Sequence, residues 1–351
     1  MEHKLGIIGF GGMGGWHEAN VKRVNGLSVA AVYDIKEERV QLAESKGYKG
    51  YRRLEDFLKD DSIDLVLVST PNVYHKELAI KALKAGKNVV VEKPATLNLA
   101  EFNEICDVAD QEGKVFTVHQ NRRWDKDYQM VKKTLEDQEI GEAYMIESRI
   151  HGKNGKFLEW RDKKAMGGGL ILDWAPHLVD QILHLVPEKV TEVYAQLFSV
   201  VSQEVDDYFK LLLRFESGKG AMVEVGTLCL VDGPRWIVQA KGGSMRVDSF
   251  QGGGQIVKDK AHLAEWNSKI IETDRGPTRT MAPRPLETME FKELPNVDDR
   301  TDWTEFYTNV MAAMEGKEEL LVQHEDVRRV MAIIDEARES SEEGMSRKVC
   351  I

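Results

Sequence analysis

Short apolar runs alternate with amphipathic stretches over the first third of the chain. Leu5 to Ile8, Ser28 to Tyr33, Ile63 to Ser69, Asn88 to Val91 and Val115 to Val118 are rich in β-branched residues, which predicts five buried strands. Between them, apolar positions recur at helical spacing over Met13 to Val24, Tyr74 to Ala85 and Leu99 to Gln111, with Gly86 and Gly113 as stops. Strands alternating with helices in this way predict a doubly wound parallel sheet.

Beyond residue 120 the pattern changes. A helix over Met130 to Gln138, a strand over Ala143 to Ile150 and a helix over Pro176 to Leu185 come first. Strand then follows strand: Val190–Leu197, Tyr208–Phe215, Gly220–Leu228, Trp236–Ala240 and Ser244–Asp248. Ser217 to Gly220 and Lys241 to Gly243 read as hairpin turns, so the second sheet is expected to be open and mainly antiparallel. Residues 251–300, with Gly252 to Gly254 and four of the nine prolines, read as loops and ragged edge strands. Helices near 302–315 and 324–341 close the chain, and Glu339 to Glu343 reads as a solvated helix end. The expected division is a Rossmann unit at 1–122 and an α+β unit at 123–351.

Length and charge narrow the partners. A chain of 351 residues accommodates two cores, and its net charge of −11 argues against nucleic acid. No apolar run approaches a membrane span, and the N-terminus enters a strand at once, so no signal peptide is expected. Cys106, Cys229 and Cys350 form neither a disulfide framework nor a metal cluster, so a cytoplasmic home is expected.

The first strand breaks into Gly9-x-Gly11-x-x-Gly14, and Asp34 follows the last glycine by twenty residues at the tip of the second strand. A strand, a glycine turn, a helix and a terminal acid make the dinucleotide-binding βαβ unit. Gly9 permits the turn, Gly11 the approach of a pyrophosphate and Gly14 close helix packing, while the helix N-terminus offers N–H donors. The whole turn, Gly9, Phe10, Gly11, Gly12, Met13 and Gly14, is expected to face the cofactor, with Asp34 and Ile35 at its ribose end. A carboxylate there accepts both ribose hydroxyls and repels a 2′-phosphate, which favours NAD; Lys36, two residues on, leaves NADP possible.

Further along, Thr70-Pro71-Asn72 with His75, then Glu92-Lys93-Pro94, then Gly167 to Asp180 with Asp173 and His177, occur in order. Together with the glycine turn they resemble the Gfo/Idh/MocA oxidoreductases over nearly the whole chain. Asn121-Arg122-Arg123-Trp124-Asp125 is similar to a subgroup that includes some scyllo-inositol dehydrogenases. The resemblance implies Lys93, Asp173 and His177 as the catalytic group, with Pro94 cis. It also implies Thr70, Pro71, Asn72, His75, Glu92, Lys93, Gln120 and Arg122 along the cofactor. Lys93, Asn121, Arg149, Trp160, Asp173, Trp174 and His177 would line a polyol, sugar or cyclitol substrate, and the second sheet would join subunits as a homodimer or homotetramer.

The chemistry is coherent on its own. Oxidising a secondary alcohol moves a hydride to a nicotinamide and a proton to a base; a histidine suits the base, and an ammonium steadies a developing alkoxide. The chain departs from the family pattern at Trp174, Ala175 and Pro176. A proline lacks the N–H a continuous helix needs, so the helix is expected to start or kink there, and Asp173 and His177 are not a plain i, i+4 pair.

Other readings compete for the same residues. Asp173, His177, Asp180 and His184 could hold a metal, but no second histidine or cysteine stands at i+4, and no metal is expected. Trp160 and Trp174 could stack on a sugar or simply pack a core. Lys153, Lys156 and Arg161 read as solvated loop cations, and Arg122 and Arg123 as positioning the cofactor or bracing the junction. An NAD-retaining redox glycosidase and a non-catalytic sugar sensor remain as alternatives to a dehydrogenase.

Overall fold

The computed structural model describes residues 2–155, 157, 159–260, 270–278, 285–298 and 304–351. Its first layer runs β1 (His3–Ile8), α1 (Gly12–Val21), β2 (Leu27–Tyr33), α2 (Glu37–Ser45), β3 (Lys49–Tyr51), α3 (Leu54–Leu58), β4 (Leu65–Val68), α4 (His75–Lys84), β5 (Asn88–Val91), α5 (Leu99–Glu112) and β6 (Phe116–Val118). The six strands form one parallel sheet in the order β3-β2-β1-β4-β5-β6. Every residue of β4, and Val89 to Val91 of β5, is fully buried, as an unbroken apolar run requires when both faces are covered. Strand order reverses between β1 and β4, which opens a crevice beyond their C-terminal ends.

The sequence pattern had no clear signal for α2, β3 or α3. Only Val40 and Ala43 of α2 are buried, and β3 is a three-residue edge strand, too short for a period to show.

The chain leaves this sheet through a short turn at Asn121–Trp124. It continues as α6 (Lys126–Glu136), β7 (Ala143–His151), α7 (Leu170–Asp173), α8 (Ala175–Leu185), β8 (Val190–Phe198), β9 (Tyr208–Phe215), β10 (Gly220–Gly226), β11 (Trp236–Ala240), β12 (Gly243–Ser249), β13 (Gly252–Asp259), β14 (Ile271–Thr273), β15 (Gly276–Thr278), β16 (Met289–Lys292), α9 (Thr304–Met314), α10 (His324–Glu343) and β17 (Arg347–Lys348). Nine of these strands make the second sheet, in the order β16-β13-β12-β11-β7-β10-β9-β8-β17, while β14 and β15 pair by themselves. The sheet is mixed: β7 and β10 run parallel, and every other pair is antiparallel. In β9, Phe209, Leu211, Leu213 and Phe215 are buried, while Lys210, Leu212 and Arg214 face outward, the alternation of a sheet with one covered face.

Two expectations need correction. Gly252 to Asp259 is an eight-residue strand paired on both sides, by β12 and β16; its glycines hide the period because they have no side chain to place in or out. Nor is Glu339 to Glu343 merely a solvated end. Ser340 is fully buried, and Ser340 Oγ and Ser341 Oγ each accept an amide of β8, from Ala195 and Leu197, at 3.0 Å. These serines complete hydrogen bonds that the strand cannot make there.

The last two helices return to the first sheet. Asp335 of α10 accepts the amide of Leu99 at 2.8 Å, and Arg338 donates to the carbonyl of Leu97 at 2.7 Å. One helix thus packs on α5 with one flank and on β8 with the other. A reciprocal cap between Gln323 and Asp326 starts it, and Gly344, in the left-handed region at φ 69°, ends it. Among the described residues, no helix is long and apolar enough to cross a membrane.

Candidate active site

The glycine turn forms because two of its positions tolerate nothing larger. Gly9 has φ 90°, and a Cβ there would stand 2.8 Å from the carbonyl oxygen of Ser69; at Gly14 it would stand 2.2 Å from that of Gly9. A Cβ at Gly11 or Gly12 would meet nothing within 4 Å, so open space lies before the N-terminus of α1, where unpaired amides can receive an anion. Asp34 stands just past β2 and already organises this turn. Its Oδ2 accepts the amide of Phe10 at 2.7 Å, and its Oδ1 the amide of Lys36 at 2.9 Å. The Phe10 ring is buried beneath Lys46 rather than turned to the opening, while the Ile35 side chain is 84 % exposed.

The loop after β4 is tied down on two sides. Thr70 packs under Gly9, and Pro71 leads into Asn72, whose Nδ2 donates to the carbonyl of Gly167 across the cleft at 2.7 Å. His75 is sealed in: its two ring nitrogens face the carbonyls of Pro94 and Thr70 at 2.8 and 2.9 Å, and burial lowers its proton affinity. It therefore braces two loops instead of lining the opening. Glu92 is likewise buried, with both carboxylate oxygens bonded to protein donors.

Lys93 follows, and the Lys93–Pro94 peptide bond is cis. Its ammonium crosses to the second layer and donates to both Oδ1 and the backbone carbonyl of Asp173, each at 2.8 Å. An ammonium has three N–H bonds, so one remains for another acceptor. Burial would raise the Asp173 carboxyl, but Lys93 and Arg161 outweigh it and hold the group below the ordinary aspartate range.

Asp173 ends α7, and α8 begins at Ala175 with Pro176 in its first turn; Trp174 is the break between them. This is the interruption the proline predicts. His177 sits on the first turn of α8, 5 % exposed, with no hydrogen bond from its ring to a described residue and with Nδ1 closed to solvent. Burial first, then the charges of Lys93 and Arg122, push its proton affinity well below that of an ordinary histidine. The ring is neutral at pH 7.

Around this pair stand Trp174, whose ring meets His177 edge-on at 6.0 Å, and Arg122, whose guanidinium lies 4.5 Å over Trp174 and bonds Asp125 at 2.7 Å. Gln120 donates to the carbonyl of Pro176 at 3.3 Å and leaves Oε1 without a partner among the described residues. Asn121 is half-buried at the start of the connecting turn. Arg123 bonds Asp180 through two nitrogens at 2.7 and 2.6 Å and reaches Asp326, so it braces α8 against α10. Asp180 is thereby committed, and Asp173, His177, Asp180 and His184 do not gather as a metal set.

Arg149 is not brought to the cleft. Ser148 beside it points toward α8, where its Oγ meets Arg235, and adjacent strand residues face opposite ways. Arg149 is thus on the outer face, paired with Glu147 and Glu224. Conversely, Arg161 is no free loop cation: it stacks on Trp160 at 4.6 Å and lies 3.6 Å from Asp173 Oδ1. Lys153 pairs with Asp232 on the surface, and Lys156 lies outside the described residues. Sequence reasoning also passed over Phe250, which packs against Trp174 and under the guanidinium of Arg122, and over His119 and Tyr307, which meet Glu92 and His17. These come from distant segments, and only the fold joins them.

Known proteins resemble this chain over both of its layers. Residues 3–120 match a family described as oxidoreductases with an NAD-binding Rossmann fold, and residues 128–246 match the Gfo/Idh/MocA C-terminal domain. An NAD-binding protein from Listeria innocua has a crystal structure that superposes with a TM-score of 0.93, at 39 % identity, covering 99 % of each chain. The scyllo-inositol 2-dehydrogenase (NADP(+)) IolW of Bacillus subtilis is 28 % identical over 97 % of this chain and 94 % of its own. The oxidoreductase C115.03 of Schizosaccharomyces pombe is 32 % identical over 56 % of each chain, so the chain spans just over half of that relative's length.

Proposed function

Since this chain belongs to the Gfo/Idh/MocA family of NAD(P)-binding oxidoreductases, we propose that it transfers a hydride between a nicotinamide and a secondary alcohol of a cyclitol, sugar or related polyol. The observation that carries the reading is the pairing, at one end of the crevice, of a tethered ammonium with a buried neutral imidazole. The name of IolW supports a cyclitol as the first substrate to try.

The residues fit the cofactor: open space at Gly11 and Gly12 before a helix N-terminus for the pyrophosphate, and the Asp34 carboxylate for a ribose. When bound, the nicotinamide supplies the hydride acceptor. Lys93 uses its third N–H to hold the reacting oxygen and to stabilise negative charge as the O–H bond breaks. A neutral His177 ring with its proton on the closed Nδ1 leaves the Nε2 lone pair to accept the hydroxyl proton. Asp173 fixes the ammonium by two acceptors, and Trp174, Arg122 and Phe250 form an apolar and cationic wall that excludes water. Asp34 favours NAD, although the name of IolW specifies NADP(+). Outward Phe198, Leu212 and Phe291 on the second sheet support a dimer or tetramer through that face.

The test is a spectrophotometric screen of NAD and NADP reduction across scyllo- and myo-inositol, aldoses, sugar acids and glycosides. Reduction of a nicotinamide by at least one polyol, lost in His177→Asn, is the expected result. Aryl glycoside cleavage without net NADH would replace the dehydrogenase with a redox glycosidase.

A further inference from the structure

Asp173 can hold Lys93 only if the turn it ends is itself fixed, and α7 is a single turn of four residues. So short a helix has little stability of its own, and the amides at its head need acceptors from outside. Two of these amides are met by one residue on the connection between β8 and β9. The carbonyl of Asp206 accepts the amide of Leu170 at 2.9 Å, and its Oδ2 accepts that of Ile171 at 2.7 Å. Gly169, at φ 104°, makes room for this cap: a Cβ there would stand 2.3 Å from Asp206 Oδ1.

The connection is a firm support. Asp207 is 2 % exposed, and its carboxylate accepts the amides of Val200, Val201 and Ser202 at 2.8, 2.6 and 2.7 Å. From the same loop Ser202 Oγ donates to Asp162, and Glu204 accepts the amide of Lys164 at 3.1 Å. The loop therefore also holds the segment that carries Arg161, the second cation beside Asp173 Oδ1.

The far end of the turn is tied to its head. The amides of Asp173 and Trp174 bond the carbonyls of Gly169 and Leu170 at 3.0 and 2.8 Å. A shift at Ile171 thus carries over to the Asp173 carbonyl and Oδ1, the two acceptors that fix the Lys93 ammonium. Rates fall steeply when a reacting group is misplaced by about 1 Å. We propose that Asp206 is a positioning residue for the hydride transfer: by capping the head of α7 it fixes Asp173, and through Asp173 it aims the third N–H of Lys93 at the reacting oxygen. This rests on the dehydrogenase reading of the site.

The test compares Asp206→Ala and Asp206→Asn in the full-length protein and repeats Asp206→Ala in a Lys93→Met background. Asp206→Ala should lower kcat for polyol oxidation by about tenfold, with the NADH dissociation constant within about twofold of wild type. Asp206→Asn, whose amide oxygen can accept the same N–H, should recover most of that loss. In the Lys93→Met background Asp206→Ala should cost less than about twofold, since the ammonium it positions is gone. Lysine-labelled NMR reads the same contact without turnover. Proton exchange at the Lys93 ammonium, identified by its loss in Lys93→Met, should quicken by about tenfold in Asp206→Ala. Unchanged kcat or exchange in Asp206→Ala, no recovery in Asp206→Asn, or an equal loss with and without Lys93 would each overturn the proposal. Asp206→Ser, too short to reach the Ile171 amide, replaces Asp206→Ala if that variant does not fold. If no polyol reduces a nicotinamide, the dehydrogenase reading fails, and the exchange rate alone decides whether Asp206 holds Lys93.

Discussion

Lys93 holds Asp173 at two points, Oδ1 and the backbone carbonyl, both at 2.8 Å. The second contact needs no carboxylate, so it fixes the ammonium to the break between α7 and α8 whatever the charge state of Asp173. Two layers of the molecule are thereby registered at the point where the reaction is proposed to occur.

Lys93→Met should lower kcat for polyol oxidation by about two to three orders of magnitude, the typical cost of losing a donor to a developing oxyanion. Binding of NADH, followed by fluorescence titration, should change only a few-fold. Asp173→Asn should cost less, because the carbonyl contact survives. Turnover of Lys93→Met within threefold of wild type would remove the ammonium from the chemistry.

Asp34 organises the glycine turn and is proposed to receive the ribose, and a substitution separates the two. Asp34→Ala removes the proposed ribose acceptor and also releases the amide of Phe10, so affinity for both nucleotides should fall. The informative quantity is the ratio of NADPH to NADH dissociation constants. It should shift toward NADPH by about tenfold, roughly one charge-assisted hydrogen-bond pair. An unchanged ratio would show that the carboxylate only organises the turn.

Buried His119 should add an acid-sensitive component to the stability of the fold. Burial first, and then His17, brings His119 down to about 4. The unfolded chain binds a proton at His119 below about 6.5, whereas the folded protein does not until about 4, so stability falls as pH drops through that window. The loss approaches about 1.4 kcal/mol per pH unit in its middle. Thermal denaturation of wild type and His119→Phe between pH 7 and 4.5 should show a steeper decline for wild type; parallel curves would mean that His119 takes up its proton over the same range in the folded and unfolded chain.

Arg161 tests the substrate side of the cleft. With Lys93 it brings two cations to one carboxylate, which leaves a local excess of positive charge. Arg161→Gln should raise KM for sugar acids by about tenfold or more, the scale of a lost charge-assisted bond, and for neutral cyclitols by less. Equal increases for both classes would assign Arg161 to holding Asp173 alone.

Much of this was legible in the chain. Apolar runs such as Leu65 to Val68 and the glycine turn are local signals, and they announced the parallel sheet and its crevice. The interrupted helix followed from Pro176 alone. What could not be read was assembly across distance. Glu92 looked like part of a strand end facing the cofactor, but its partners lie at residues 17, 119 and 307, and no spacing connects them. Arg161 and Arg149 exchanged expected places for a related reason: which way a loop folds back, and which face a strand residue takes, depend on packing that a periodicity does not record.

Because α10 bonds Leu97 and Leu99 with one flank and the edge of β8 with the other, the two sheets share a strut as well as a covalent connection. Rotation about the short turn at Asn121–Trp124 would have to strip that helix from one of them. The strut therefore opposes a hinge-like opening of the crevice about that turn.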